Sequence, residues 1–493
     1  MSALDIQELR QYRYKLRSKR SNESNEEKKI RATFWIAAKV ERPITIHVVE
    51  SPKGNLQLNR FDALKTDIEN PEVTDPTMSL GDSFNPATDS LHASMRPIIV
   101  LANCFSMLPV CGVNSPDASC LKFTWRSPKL LYTAVSCLGA TVMTVFNIIQ
   151  FATTGINSIK TTSLVFYGTS VIASLLFLRL ARLWPRLALT WEKLEHEFIP
   201  RHRKVSRISL AGRFKLVTAI VMTFALIEHT LSILKGSSNA MVCAKYHGDT
   251  DIVAVYFQSQ FPQVFSRMSY NLWKAILVDA VNVLSTFSWN FIDLFLILIS
   301  MALADQFQQL NGRLNAVRGK AMPEWWWAEA RNDYNHLASL TRRVDSQIST
   351  IVFLSFATDL YFICIQLLFS FNLQRSLIQK IYFCFSFGFL LSRTTAVSLY
   401  AASVHDESRL PAPMLYSVSS ANYSTEVMRF LTQVTTDNIS LTGMKFFSVT
   451  RGLVLTVAGT IVTYELVLVQ INNIQQTVQS NATNICERVT KVF

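Results

Sequence analysis

Long apolar runs separated by basic connectors fill the chain from about residue 95 onward. A helix that crosses a bilayer needs about 20 mostly apolar residues. Eight segments compete for that role: 95–113, 130–151, 162–181, 214–234, 277–303, 348–371, 381–402 and 446–471. The first is the weakest, because it is short, carries Arg96 and Asn103, and is broken by Pro97 and Pro109. Residues 304–347 and 416–440 read as helical without spanning, the former continuing the fourth span and containing Trp325-Trp326-Trp327. That triple tryptophan fits either packing between cytoplasmic helices or anchoring at the membrane interface. Residues 1–90 are different in kind. Charged runs such as Ser18–Lys29 alternate with the turn formers Asn70-Pro71 and Asp75-Pro76, so this region is expected to be cytoplasmic and largely disordered.

Loop charge decides the number of spans. Lysine and arginine concentrate on cytoplasmic connectors. If 95–113 lies along the interface, three basic groups fall on one side. They are Lys122, Arg126 and Lys129; the 182–213 connector with eight Lys/Arg; and the 304–347 connector with Arg313, Arg318, Lys320, Arg331, Arg342 and Arg343. The connectors 152–161, 235–276 and 372–380 are poorer in these residues and fall on the other side. Counting eight spans destroys this pattern. The expected fold is therefore an all-α polytopic membrane protein with seven transmembrane helices. Its N-terminus is cytoplasmic, its C-terminus extracellular, and it has an interfacial pre-helix (95–113) and cytoplasmic helical extensions. The domain comprises 91–471, with 472–493 an extracellular tail. Asn481-Ala-Thr483 in that tail is a candidate glycosylation site, whereas Asn438-Ile-Ser440 falls inside. The charged start, Arg10 to Arg31, lacks the apolar core of a signal peptide.

Composition narrows the class further. Of 493 residues, 49% are hydrophobic and 17% charged, against about 25% charged in soluble domains. The net charge of +13 is accounted for by the cytoplasmic connectors, so no nucleic-acid partner is inferred. Eight scattered cysteines form no metal, redox or disulfide pattern. No metal, cofactor or catalytic constellation is found, and the chain is not read as an enzyme.

Polar residues inside spans are costly and mark functional sites by default. Span three carries Glu228 and His229. Span four carries Asp279, Asn282, Trp289, Asn290 and Asp293. Span five carries Asp359, Tyr361 and Gln366, and span six carries Tyr382, Ser386 and Arg393. Asn282, Thr286, Trp289 and Asp293 stand at i, i+4, i+7 and i+11, one face of a helix. Most of these groups sit in the outer half to the middle of the membrane. A cavity lined by carboxylates, amides and aromatic faces suits a neutral polyol. The alternative is that the groups bond one another and hold the bundle together. Arg393 with Asp293 or Asp359 is the pair most expected to do so.

In the last span Thr463, Val467 and Ile471 form a stripe with Gln470 beside it. Around a symmetry axis such a stripe makes a hydrophobic constriction of the kind that closes by dewetting. Here a resemblance becomes specific. Thr463-Tyr464, five further residues and Gln470 are similar to the closing signature of insect gustatory receptors, with Ile471 where that family usually has Phe. Other segments resemble the sugar-receptor branch: Glu228-His229, Trp289-Asn290-Phe291-x-Asp293, Ala304-Asp-Gln-Phe307-Gln-Gln, Leu391-Ser-Arg393-Thr, His405-Asp406-x-Ser408, Glu426-Val-x-Arg429-Phe430 and Leu441-x-Gly443-x-x-Phe446-Phe447. The likeness covers about 90–471.

The resemblance implies a ligand-gated, non-selective cation channel with a central pore lined by the last helix of each subunit. It implies a homotetramer, or a heterotetramer with related receptors, in the plasma membrane of gustatory sensory neurons, at the dendrite. Permeant cations, membrane lipid and a small sugar are the implied partners. Carried over by position, the ligand-binding candidates are Glu228, His229, Trp289, Asn290, Asp293, Asp359, Tyr361 and Tyr382. The pore and gate candidates are Thr463, Val467, Gln470 and Ile471. A secondary transporter of a small polar solute and a metabotropic seven-helix receptor stay open as alternatives. The odd number of spans and the loop charges argue against them.

Overall fold

The computed structural model of the protein describes residues 90–154, 158–198, 208–247, 251–370 and 376–475. The expected disorder of 1–90, the sequon at Asn481 and the tail 472–493 lie wholly or mostly outside these residues. The architecture is helical: α1 (Leu91–Cys104), α2 (Pro128–Thr154), α3 (Ser158–Phe198), α4 (Leu210–His247), the short α5 (Ile252–Gln260) and α6 (Pro262–Phe265), α7 (Leu272–Ala316), α8 (Glu324–Ser370), α9 (Leu377–Arg409), α10 (Pro411–Tyr416), α11 (Thr425–Thr436) and α12 (Arg451–Gln475). Among the described residues, α2, α3, α4, α7, α8 and α9 are long and apolar enough to cross a membrane. The seventh expected span corresponds to the 25-residue α12, about 37 Å long at 1.5 Å per residue.

The helices overrun the expected spans: α8 already begins at Glu324, α3 continues to Phe198 where the apolar run ends at 181, and α4 continues to His247 where the apolar run ends at 234. Two boundaries are corrected. The pre-helix runs over Leu91–Cys104, not 95–113. Ser90 caps its start, and Ser106 and Leu108 adopt positive φ just before Pro109, which turns the chain back. The last helix begins at Arg451, not 446. Residues 442–448 instead form a hairpin, β1 (Thr442–Gly443) against β2 (Phe447–Ser448), turned by Met444 and Lys445 at positive φ. The connector 235–276 is largely helical, and 416–424 lies mostly outside helices.

Helix α7 is the centre of the helix bundle. Its apolar stretch is 94% buried, against 11% for α4. An apolar sequence on all sides belongs at the centre of a bundle, and α7 packs against α2, α3, α4, α8 and α9. A ladder of rings fixes it. Phe105 stacks on Phe287 at 3.9 Å, Phe291 and Phe295 follow, and Phe177 and Trp184 of α3 close on them.

At the end assigned to the cytoplasm, the same core continues between α7, α8, α10 and α11 around Phe307, Tyr334 and Phe430. Arg313 bridges Asp333 at 2.6 Å and Glu329 at 2.9 Å, with its guanidinium over Trp326. Trp326 and Trp327 are buried and Trp325 is exposed, so two of the three tryptophans serve packing. The guanidinium groups of Arg331 and Arg429 hold the Glu426 carboxyl below its usual range through hydrogen bonds. The hairpin is tied to α8. Asp345 accepts from Thr442 N–H at 2.7 Å and from its hydroxyl, and Phe447 packs on Phe356. Removing the carboxylate with Asp345→Ala strands these donors. The expected cost is about 1–3 kcal/mol, read as a lower melting temperature of the solubilised protein.

Candidate functional site

Four helices bring their polar faces together near the middle of the bundle. Arg393 of α9 is 3% exposed. Its Nε lies 2.6 Å from Asp293 of α7, and its Nη2 lies 3.4 Å from Asp359 of α8. Its Nη1 donates to Asn290. Each acid has a hydroxyl partner: Ser355 donates to Asp293 at 2.6 Å and Thr394 to Asp359 at 2.8 Å. The guanidinium also stacks over Trp289, 4.3 Å from the ring centroid. A desolvated charge persists only when paired and hydrogen-bonded. This cluster meets that condition, and Asn290, Asp293 and Asp359 are turned toward Arg393.

One turn or two further along α9, toward the end assigned to the outside, lies a second network. Ser386 donates to Glu228 of α4 at 2.5 Å and accepts from Gln366 of α8 at 3.2 Å. Tyr382 stands one turn beyond, with Lys235 4.5 Å above its ring. Gln379 donates to Asn239 at 2.9 Å. His229 does not join this chain. It lies within electrostatic reach of Asp279, on the side where Tyr167 of α3 donates to Asn282. Tyr361 reaches the site through Phe362, whose ring packs on Trp289 at 4.8 Å.

Several groups here carry unused hydrogen-bonding capacity. Trp289 Nε1, Tyr361 Oη and Gln366 Oε1 are buried with no partner among the described residues. Buried polar atoms are nearly always satisfied, and these three exceptions flank one cluster. The same cluster, built on Phe362, Ile363, Leu367 and Leu390, includes Trp289, Tyr361 and Ile461 of α12. The apolar cluster beside the polar region therefore packs against the last helix.

Among the last-helix candidates, Thr463 is exposed and its hydroxyl bonds the Gly459 carbonyl. Val467, Gln470 and Ile471 belong to α12, and their side chains lie outside the described residues. Sequence reasoning does not single out Ser355, Thr394, Tyr167 and Lys235 as site residues. Ser355 is recoverable from spacing: with Asp359, Phe362 and Gln366 it stands at i, i+4, i+7 and i+11, the pattern that marks the α7 stripe.

Fold and site together define a multi-pass membrane protein with a buried polar cluster between its helices. The fold is similar to that of the insect olfactory receptor OR5 from Machilis hrabei. The TM-score is 0.57 without ligand and 0.55 for its complex with eugenol, with 77% and 76% of this chain and 99% and 97% of those chains covered, at 13% identity. This is the insect chemoreceptor channel fold. Residues 62–486 match the family described as Trehalose receptor, and the chain belongs to that family of sugar gustatory receptors. It is 36% identical over 430 residues to the gustatory receptor for sugar taste 64f of Drosophila melanogaster, covering 86% of this chain and 90% of that one. It is 37% identical over 388 residues to gustatory receptor 5a for trehalose of the same organism, covering 79% and 86%.

Proposed function

We propose that this protein is a sugar-gated, non-selective cation channel of the plasma membrane of gustatory sensory neurons. It works as a tetramer, homomeric or with related receptors, whose pore is lined by α12. The observation that carries the reading is the set of unpartnered polar atoms at Trp289, Tyr361 and Gln366, packed against a cluster that includes Ile461 of the last helix. Relatives named for sugar taste and for trehalose support the choice of ligand class.

The roles divide by geometry. Glu228, His229, Trp289, Tyr361 and Tyr382 contact the ligand, since carboxylate, imidazole and phenol groups bond hydroxyls and ring faces cover the apolar side of a pyranose. Asn290, Asp293 and Asp359 act one step behind, holding Arg393 and through it the Trp289 ring. A sugar opens the channel only by binding the open state more tightly than the closed one. The contact of Ile461 with this cluster supplies the route to α12, where Thr463, Val467, Gln470 and Ile471 form the constriction and its outer mouth.

The test is to express the chain alone and record current while common mono- and disaccharides are applied. Sugar-evoked cation current is expected. Silence to every sugar with the protein at the surface contradicts the reading. Within an active channel, Ser386→Ala breaks the bridge between Glu228 and Gln366. Loss of such a buried hydrogen bond costs about 1–3 kcal/mol, so the half-maximal sugar concentration is expected to rise roughly fivefold or more. An unchanged dose–response curve removes Ser386 from the site.

A further inference from the structure

A cavity of about 790 Å³ lies between α4, α7 and α9, on the cytoplasmic side of the Arg393 cluster, and none of the ligand candidates lines it. Its volume falls in the range of small-molecule sites, about 300–1,000 Å³. Along α9 it runs from Leu391 to Ser403, about 18 Å at 1.5 Å per residue. That is close to the length of a sterol, ring system plus side chain.

Its charged groups lie at one end, while Gln308, Thr395 and Tyr400 add further polar atoms to the lining. At the cytoplasmic end Arg213 of α4 pairs with Asp305 of α7, while Met301 and Leu391 stand toward the membrane centre. The hydroxyls of Ser392 and Ser403 are spent on carbonyls of their own helix, so both residues contribute little bulk and little polarity. With Ala396 they stand at i, i+4 and i+11, and Ala304 also lines the space. These small residues leave room between Leu391, Thr395, Leu399 and Tyr400 on the same wall of α9. The mouth is set in apolar surface, since Leu399 beside it and Leu216, three residues beyond Arg213, are 50% and 56% exposed.

The Arg213–Asp305 pair selects the head group. It carries no net charge, so it offers an anionic lipid phosphate little gain. Arg213 still has Nε without a partner among the described residues. Asp305 accepts from Gln309 as well as from Arg213 and retains lone pairs. A single hydroxyl, which both accepts and donates, complements this pair.

We propose that the cavity holds a membrane sterol, its hydroxyl at Arg213 and Asp305 and its rings along Ala396. The bound sterol steadies α9, which packs on α12, and so biases the channel from within the inner leaflet.

The test labels the full-length protein in membranes with a photoreactive cholesterol analogue and maps the modified residues by mass spectrometry. Label is expected on α9 between 391 and 403 or on α7 between 301 and 308. A large excess of cholesterol is expected to reduce it about tenfold by mass action, while equal amounts of phosphatidylcholine or oleate leave it in place. Ala396→Phe, which fills the cavity, is expected to lower labelling there by a similar factor with surface level retained. Label confined to other segments, or displaced equally by phosphatidylcholine or oleate, overturns the proposal. If Ala396→Phe does not reach the surface, mapping and competition on the unsubstituted protein decide between these outcomes without it.

Discussion

Replacing Arg393 with methionine is expected to remove most of the protein from the cell surface. The substitution keeps the volume of the stem but leaves Asp293 and Asp359 facing each other in the membrane interior. Their remaining described hydrogen-bond donors are the hydroxyls of Ser355 and Thr394. Breaking one partner out of a buried ion pair costs about 3–5 kcal/mol, and two acids depend on this arginine. Total stabilities of about 5–15 kcal/mol leave little margin for such a loss. The loss is expected to be conditional. Combining Arg393→Met with Asp293→Asn and Asp359→Asn removes the stranded charges and should restore much of the surface level, because replacing a whole buried pair is often close to neutral. Surface biotinylation of the single and triple variants gives the comparison. A single variant at normal surface level would show that the cluster does not hold the bundle.

Opening the constriction directly is expected to have the second large effect. Val467→Ser places a hydroxyl where the proposed gate excludes water by its apolar character. A bias of about 1.4 kcal/mol toward a wetted pore raises the ligand-free open population roughly tenfold. Resting current in cells without sugar should increase accordingly, with the sugar response riding on a higher baseline. A resting current indistinguishable from that of the unsubstituted chain removes residue 467 from the gate.

Much of this fold is legible in the sequence because lipid leaves few choices. Apolar length and loop charge together give seven crossings, and the polar stripe of α7 points to the helices it meets. Element ends are less legible. The return of the chain after Cys104 depends on positive φ at Ser106 and Leu108, and the start of α12 depends on the hairpin that Asp345 captures from 97 residues away. Neither cause is local in sequence. The site divides in the same way. The grouping of Arg393 with Asp293 and Asp359 follows from charge. That Ser386 joins Glu228 to Gln366, while the adjacent His229 lies within electrostatic reach of Asp279, is a matter of helix rotation that no single-helix pattern records. The inner cavity is invisible in sequence, since it is made by what three helices fail to fill.

In the proposed function, sugar binding and ion conduction reside in this one chain. Purified protein reconstituted alone into a planar bilayer tests it most directly. Unitary cation currents are expected, with an open probability that rises when trehalose or another active sugar is added to the side that the C-terminus faces. Saturable sugar uptake into vesicles without unitary events, or currents that no sugar changes, would contradict it.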